Sequence, residues 1–258
     1  MNKIIKIFML GVIFSSFTAS ASEEVLIDSD RIVFVGEISK EKVDEVVFKY
    51  KKATQKPKLL RIKSSGGDLY QSIRLGKWVY LNGLDVEVAE YCYYSCASYI
   101  FTAGNKKYLD TNSYIFWNGG ALSKFLQDDY YFQKIQDKFI ARHSIIDPEE
   151  ISLTRARLDR RRQFFIAEEK GFFDFVKVDP MITLAGAREG QYLSKKFFGI
   201  SYVDVDKFNG KPIVLGFYYT LKEMEKFGVK NVVLKSSEWK PQTSFNHGFY
   251  KIIPAEIK

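Results

Sequence analysis

Between residues 31 and 118 the hydrophobic positions keep changing their period, and each change marks a new element. "RIVFVGEI" (31–38) is a β-branched run of strand type. Residues 39–53 then place Val43, Val46, Val47 and Tyr50 at helical spacing behind Ser39, a favoured cap, with Pro57 as the stop. "KLLRIKS" (58–64) reads as a buried strand that "SSGGD" (64–68) breaks. Residues 69–83 carry a helical stripe of Ile73, Leu75, Trp78, Val79 and Leu81. A strand at 85–91 leads into "YCYYSCASYIFTAG" (91–104), and a further strand follows at 113–118. Strands and helices taking turns in this way predict βαβ units, hence an α/β fold with a mostly parallel sheet. In such sheets functional groups gather at the carboxyl ends of the strands. Both "SSGGD" and "YYSCAS" fall at that edge, so two loops distant in sequence are expected to converge.

Residues 124–170 predict a helical insertion with Phe125, Tyr130, Tyr131, Phe132, Ile135, Phe139 and Ile140 along one side. Asp147-Pro148-Glu149-Glu150 marks a break and a new helix start. From about residue 211 the pattern restarts with a strand, a short helix and two more strands. This tail (211–258) is expected as a small α+β appendage, and the pattern equally allows an edge of the main sheet. No internal repeat or low-complexity linker interrupts the chain.

The first residues change the setting. Lys3 and Lys6 precede an apolar run from Ile7 to Phe17, and Ala19-Ser20-Ala21 offers a small-x-small cleavage site. Residues 1–21 are therefore expected to be a signal peptide, with the mature chain exported and starting near Ser22; an uncleaved anchor is the alternative. Removing them takes the formal net charge from +8 to about +6. That is mildly basic, with no run of five like charges, which argues against a nucleic-acid partner. The densest basic stretch, Arg155, Arg157, Arg160, Arg161 and Arg162, is expected as a solvated helix face.

Only two cysteines are present, Cys92 and Cys96, and only two histidines, His143 and His247. A structural zinc site is not expected, and nothing in the sequence calls for a cofactor. Cys92 and Cys96 suit a disulfide if residue 92 precedes the helix; within one regular helix they point the wrong way. The sequence leaves both arrangements open.

Chemistry centres on two features. Gly66-Gly67 after a strand lets backbone N–H groups come close to a ligand oxygen, as in an oxyanion hole, and serves equally as a plain tight turn. Ser95, between a strand and an apolar helix, suits either a helix cap or a nucleophile.

"LLRIKSSGGDLYQSIRLGKWV" followed by "YCYYSCASYIFTAGNKKYLDTNSYIFWNGG" resembles the Clp protease proteolytic subunit and its exported, periplasmic bacterial relatives. The resemblance spans residues 31–120, extends weakly to 192–204, and implies a ClpP/crotonase fold over residues 22–210. It makes Ser95 the nucleophile, the N–H groups of Gly67 and Cys96 the oxyanion hole, and Gly104 the close of the helix. The family's histidine falls at Asn118 in "IFWNGG", and its aspartate has no counterpart in "LAGAREGQ" (184–191), where Arg188 and Glu189 stand. An amide cannot take the serine proton at neutral pH.

Two functions follow. One is an exported ClpP-like protein that keeps Ser95 and the Gly-Gly turn, lacks the triad, and holds a peptide-like ligand. The other is an atypical serine peptidase using His143, His247 or a lysine such as Lys63 as base. A crotonase-type thioester enzyme is disfavoured by export, as is a partner ATPase. A homo-oligomer is compatible with the fold, since relatives form rings or trimers.

Overall fold

The computed structural model describes residues 24–28, 30–186, 195–197, 200–202, 213–240 and 250–255. Its elements run β1 (Glu24–Ile27), β2 (Arg31–Val35), α1 (Lys40–Lys52), β3 (Leu59–Ser64), α2 (Leu69–Leu81) and β4 (Asp85–Tyr93). A π-helical segment (Cys96–Phe101), β5 (Lys107–Leu109) and β6 (Tyr114–Phe116) follow. Next come α3 (Lys124–Gln127), α4 (Asp129–Arg142), α5 (Pro148–Val176), β7 (Lys195–Phe197) and β8 (Ile200–Tyr202). The chain closes with β9 (Ile213–Tyr218), α6 (Leu221–Lys226), β10 (Val232–Leu234) and β11 (Tyr250–Pro254).

The main sheet has the order β1-β2-β3-β4-β5-β10, with β6 also paired to β4. All these pairs are parallel except β1 with β2. The α/β expectation therefore holds, with a parallel-dominant sheet and helices. β4 is the longest strand, and it changes neighbours along its length. Val86 and Glu87 pair with β5, and Tyr91 to Tyr93 pair with β6.

Strand β3, whose apolar run reads as a buried strand, is buried on one face. Leu60, Ile62 and Ser64 are buried, while Arg61 and Lys63 lie on the other face. There Arg61 and Lys235 both reach Glu87, at 3.5 and 3.0 Å, and Lys63 pairs with Glu90. The buried face packs against α1 and α2 through Val43, Val46, Ile73, Leu75 and Val79. Full burial of one such aliphatic side chain stabilises by about 1.5–3 kcal/mol, so this face dominates the core. Ser39 and Asp68 cap α1 and α2, each accepting from an N–H three residues on. Leu81 drops out of the predicted stripe: it ends α2 and is 72% exposed.

The aromatic insertion forms α3, α4 and α5, and it buries Phe132, Ile135, Leu158 and Phe165 in a second cluster. Tyr130 of the predicted stripe is instead exposed. Arg157, Arg160 and Arg161 form the expected solvated face. Arg155 and Arg162 leave it, because they pair with Asp137 and Asp129 on α4, at 2.6 and 2.8 Å. The Arg162 guanidinium also lies 4.3 Å from the Phe132 ring centre.

β10 pairs in parallel with β5 and so extends the main sheet, while β9 and β11 pair with each other. Lys107, on β5, is buried and fastens this junction, donating to the carbonyls of Gly104 at 2.6 Å and Lys230 at 3.0 Å. Among the described residues no helix is long and apolar enough to cross a membrane. The expected signal peptide lies outside the described residues.

Burial lowers the Lys107 pKa to about 8. Between that value and the ordinary lysine value of about 10.4, the unfolded chain holds a proton that the folded chain does not. Stability should therefore rise with pH across this window. Chemical denaturation at pH 8 and pH 10 should show the stability of the wild type gaining on that of Lys107→Met; a constant difference would contradict the assignment.

Candidate functional site

The carboxyl ends of β3, β4 and β6 lie side by side, and each leads into one part of the candidate site. After β3, the turn at 64–68 is docked on Ile38 by two backbone bonds. Ile38 N–H donates to Gly66 O, and Asp68 N–H donates to Ile38 O, both at 2.9 Å. Gly66 N–H is taken by Ser64 Oγ at 3.1 Å. That leaves the N–H of Gly67, which points at Ser95 Oγ, 3.0 Å away. Only glycine fits here. Gly66 has φ +85°, and a Cβ on Gly67 would stand 2.3 Å from Ile38 O.

After β4 the chain turns sharply. Tyr94 sits in the left-handed region with φ +51°, a conformation that costs a bulky residue about 1–3 kcal/mol. Its N–H donates to Phe116 O at 3.2 Å, and its carbonyl accepts from Ser98 N–H at 2.9 Å. Ser95 follows in the right-handed helical region and makes no side-chain cap bond. The cap role therefore falls away, and its hydroxyl is directed across the helix start toward β3 and α2.

Cys92 and Cys96 bridge this corner as a disulfide. Cys92 still belongs to β4, so the bond joins a strand end to the first helical residue, and the condition set by the sequence is met. Closing a five-residue loop restricts the unfolded chain by about 2 kcal/mol on the loop-entropy scale, the same order as the Tyr94 strain. Both sulfurs belong to fully buried residues.

After β6, Trp117 forms a two-bond bridge with Phe217 of β9, at 2.8 and 2.9 Å. Tyr91, Cys92 and Tyr93 pair with Tyr114, Ile115 and Phe116, and Asn118 follows two residues past the end of that ladder. The loop beyond wraps a buried carboxyl. Glu169 of α5 accepts from Tyr99 Oη at 2.8 Å and from Leu122 N–H at 2.7 Å, and Gly120 packs directly on it. Burial pushes the Glu169 pKa up to about 7, against the lowering effect of these donors.

Ser95 Oγ has two partners among the described residues: Gly67 N–H, and Ser72 Oγ at 2.9 Å. Ser72, buried in the first turn of α2, also donates to Asp68 O at 2.8 Å. Sequence reasoning passed over Ser72 because a serine inside a helical stripe looks like a tolerated small residue. The available signal was its position four residues after the Asp68 cap, which turns it back over the Gly-Gly turn. Glu169 and Tyr99 were likewise hidden, since their contact spans 70 residues of sequence.

The sequence-derived bases are placed elsewhere. His143 caps the end of α4, with Nδ1 2.8 Å from Phe139 O and its ring stacked on Phe139. Lys63 is held by Glu90 over the Tyr91 ring on the other sheet face, and its hydrogen bond to Glu90 raises its pKa. A lysine so paired is charged and is no proton acceptor. His247, Arg188 and Glu189 lie outside the described residues. Two surface clefts, one between α4 and α5 beside Arg155 and Arg162, the other beside Tyr70, Arg74 and Trp78, do not include Ser95. Among the described residues no group of acidic, histidine and cysteine side chains is arranged to hold a metal ion.

Two stability measurements test this geometry. Cys92→Ala/Cys96→Ala should lower the unfolding free energy by about 2 kcal/mol, read by denaturant titration; an unchanged midpoint would refute the bridge. Glu169 has a raised folded-state pKa, so its contribution is full below about 4.5 and is lost as pH rises through about 7. The Glu169→Gln variant should therefore gain on the wild type between pH 5 and pH 8, by at most about 3 kcal/mol. A pH-independent difference would contradict the buried titration.

No family model matches the chain, and no curated protein matches it. Among solved structures, a ClpP1 variant from Listeria monocytogenes is similar over 58% of this chain and 78% of its own length. The identity is 16% and the TM-score 0.30. A superposition that loose carries no argument about activity or ligand.

Proposed function

We propose that this chain is an exported, ClpP-like protein that does not hydrolyse its ligand and instead holds an extended, peptide-like segment in the groove between residues 64–68 and Ser95. One observation carries the proposal. Among the described residues the Ser95 hydroxyl is engaged by an amide and a second hydroxyl, and no nitrogen base is among its partners there. Serine is a weak nucleophile unless a base takes its proton. Neither Ser72, a neutral hydroxyl, nor Asn118, an amide, can do so near pH 7.

The groove remains suited to binding. Its floor is the end of a parallel sheet, where ligands of α/β folds gather, and Gly67 and Asp68 at its rim are exposed. The amino-terminal pattern supports export to the periplasm, and with it a peptide or protein ligand rather than a nucleic acid or an ATPase partner. Self-association into a ring or trimer is compatible with this role.

The test is a fluorophosphonate probe on the purified mature protein, read by intact mass and peptide mapping. No adduct at Ser95 in a folded protein is expected. An adduct that disappears in Ser95→Ala would overturn the proposal in favour of a serine hydrolase. Binding is tested with a defined library of unstructured peptides, which the wild type should retain and Ser95→Trp, with its groove filled, should lose. Equal retention by both, or none by either, counts against the groove.

A further inference from the structure

Resting on that reading, we infer that Ser72 is a positioning residue that forms a second, separate block on Ser95: it turns the nucleophile's hydroxyl away from the β6 side, where a base would stand, and holds it on the Gly67 amide.

The sheet order sets the directions. β4 lies between β3 and β6, so the chain leaving β3, with Gly67 and Ser72 beyond it, and the chain leaving β6, with Asn118 beyond it, start from opposite edges of β4. Both hydrogen bonds of Ser95 Oγ lie on the β3 and α2 flank. A proton acceptor at position 118 would need the hydroxyl proton aimed the opposite way.

The count of protons leads to the same result. Ser72 has one hydroxyl proton and two oxygen neighbours, Asp68 O at 2.8 Å and Ser95 Oγ at 2.9 Å. If Ser72 donates to Asp68 O, the Ser95 proton goes to Ser72 Oγ, and the chain runs Gly67 N–H to Ser95 to Ser72 to Asp68 carbonyl. Every donor then has an acceptor. If Ser72 donates to Ser95 instead, the Ser95 proton is left without an acceptor on this flank, so the first arrangement, in which every donor is satisfied, is favoured. There the Ser95 proton points at a neutral hydroxyl. Either arrangement also places Ser95's own oxygen on the Gly67 N–H, the donor that an incoming carbonyl oxygen would require.

Ser72 is well built for this. It is buried in the first turn of α2, whose cap, Asp68, is itself pinned to Ile38. Its oxygen therefore has little freedom to swing away. The lack of a base at position 118 and the presence of the hydroxyl at position 72 would silence Ser95 independently, so changing one alone should not confer reactivity.

The experiment compares three folded proteins with the fluorophosphonate probe: Asn118→His, Ser72→Ala, and Asn118→His/Ser72→Ala. Attack forms the Ser95 Oγ–P bond, expels fluoride, and passes the hydroxyl proton to the introduced imidazole. Expected are background labelling in both single variants and at least tenfold faster labelling of Ser95 in the double variant. That rate should rise with pH through the imidazole range near 6.5, a dependence that mere loosening of the structure would not produce. Equal labelling of Asn118→His and the double variant, or none in either, overturns the inference. Should Asn118→His fail to fold, exogenous imidazole supplies the base: Ser72→Ala should then label at least tenfold faster than wild type, and equal rates overturn it. Labelling of the untreated wild type would defeat the proposed function itself, whereas labelling of Asn118→His alone would defeat only the role of Ser72.

Discussion

One nine-residue strand, β4, sets the positions on which everything at the site depends. It pairs with β3 along most of its length, then divides its other edge between β5 and β6. Parallel pairing with β3 puts the Gly-Gly turn beside the end of β4, and parallel pairing with β6 brings the chain that leads to Asn118 along its other edge. A one-residue slip of the β3 pairing would turn that strand's side chains to the opposite face. Ile62 would then leave the core, and Gly67 would no longer meet Ser95. The core and the site are thus held by the same register, and neither can drift without the other.

The corner after β4 is locally unfavourable and is held from several sides. Tyr94 adopts a backbone conformation that its side chain disfavours, and the bonds at both its amide and its carbonyl secure it. The disulfide closes the same five residues and contributes free energy of the same order as the strain. Glu169 acts further out, where a carboxyl in an apolar setting holds the loop after Asn118 against Tyr99 of the same helix that Ser95 begins. Buried polar groups of this kind are tolerated when they are fully bonded, and they couple α5 to both arms of the site. A comparable arrangement at Lys107 ties the last strand of the sheet to the first half of the chain.

Much of the fold is legible in the residues. The strands at 31–35, 59–64, 85–93 and 114–116 and the helices at 40–52 and 69–81 follow from period changes, capping residues and breakers. The errors have physical causes. Arg61 and Lys63 were hidden within an apolar strand because their partners, Glu87 and Glu90, come from a neighbouring strand. Leu81 shares the apolar stripe of α2 yet is exposed, because helical spacing says nothing of where a packing partner ends. Arg162 looked solvated because its partners, Asp129 and Phe132, lie on another helix. At the site, Ser95 and Gly67 stood out by type and spacing, whereas Ser72 did not, since its role exists only once α2 is folded back over the turn.

By itself the sequence determined the alternation of strands and helices, hence a parallel-dominant α/β sheet with loops converging at its carboxyl edge. It also determined that an amide, not an imidazole, occupies position 118 and that a cysteine pair flanks Ser95. These follow from local periodicity and from residue chemistry, which need no partner. Tertiary structure alone decided that Cys92 ends a strand and can bond Cys96, that β10 joins the main sheet, and that the Ser95 hydroxyl faces Gly67 and Ser72. Each of these is a contact between segments distant along the chain or a direction in space, and such relations exist only once the chain has closed on itself.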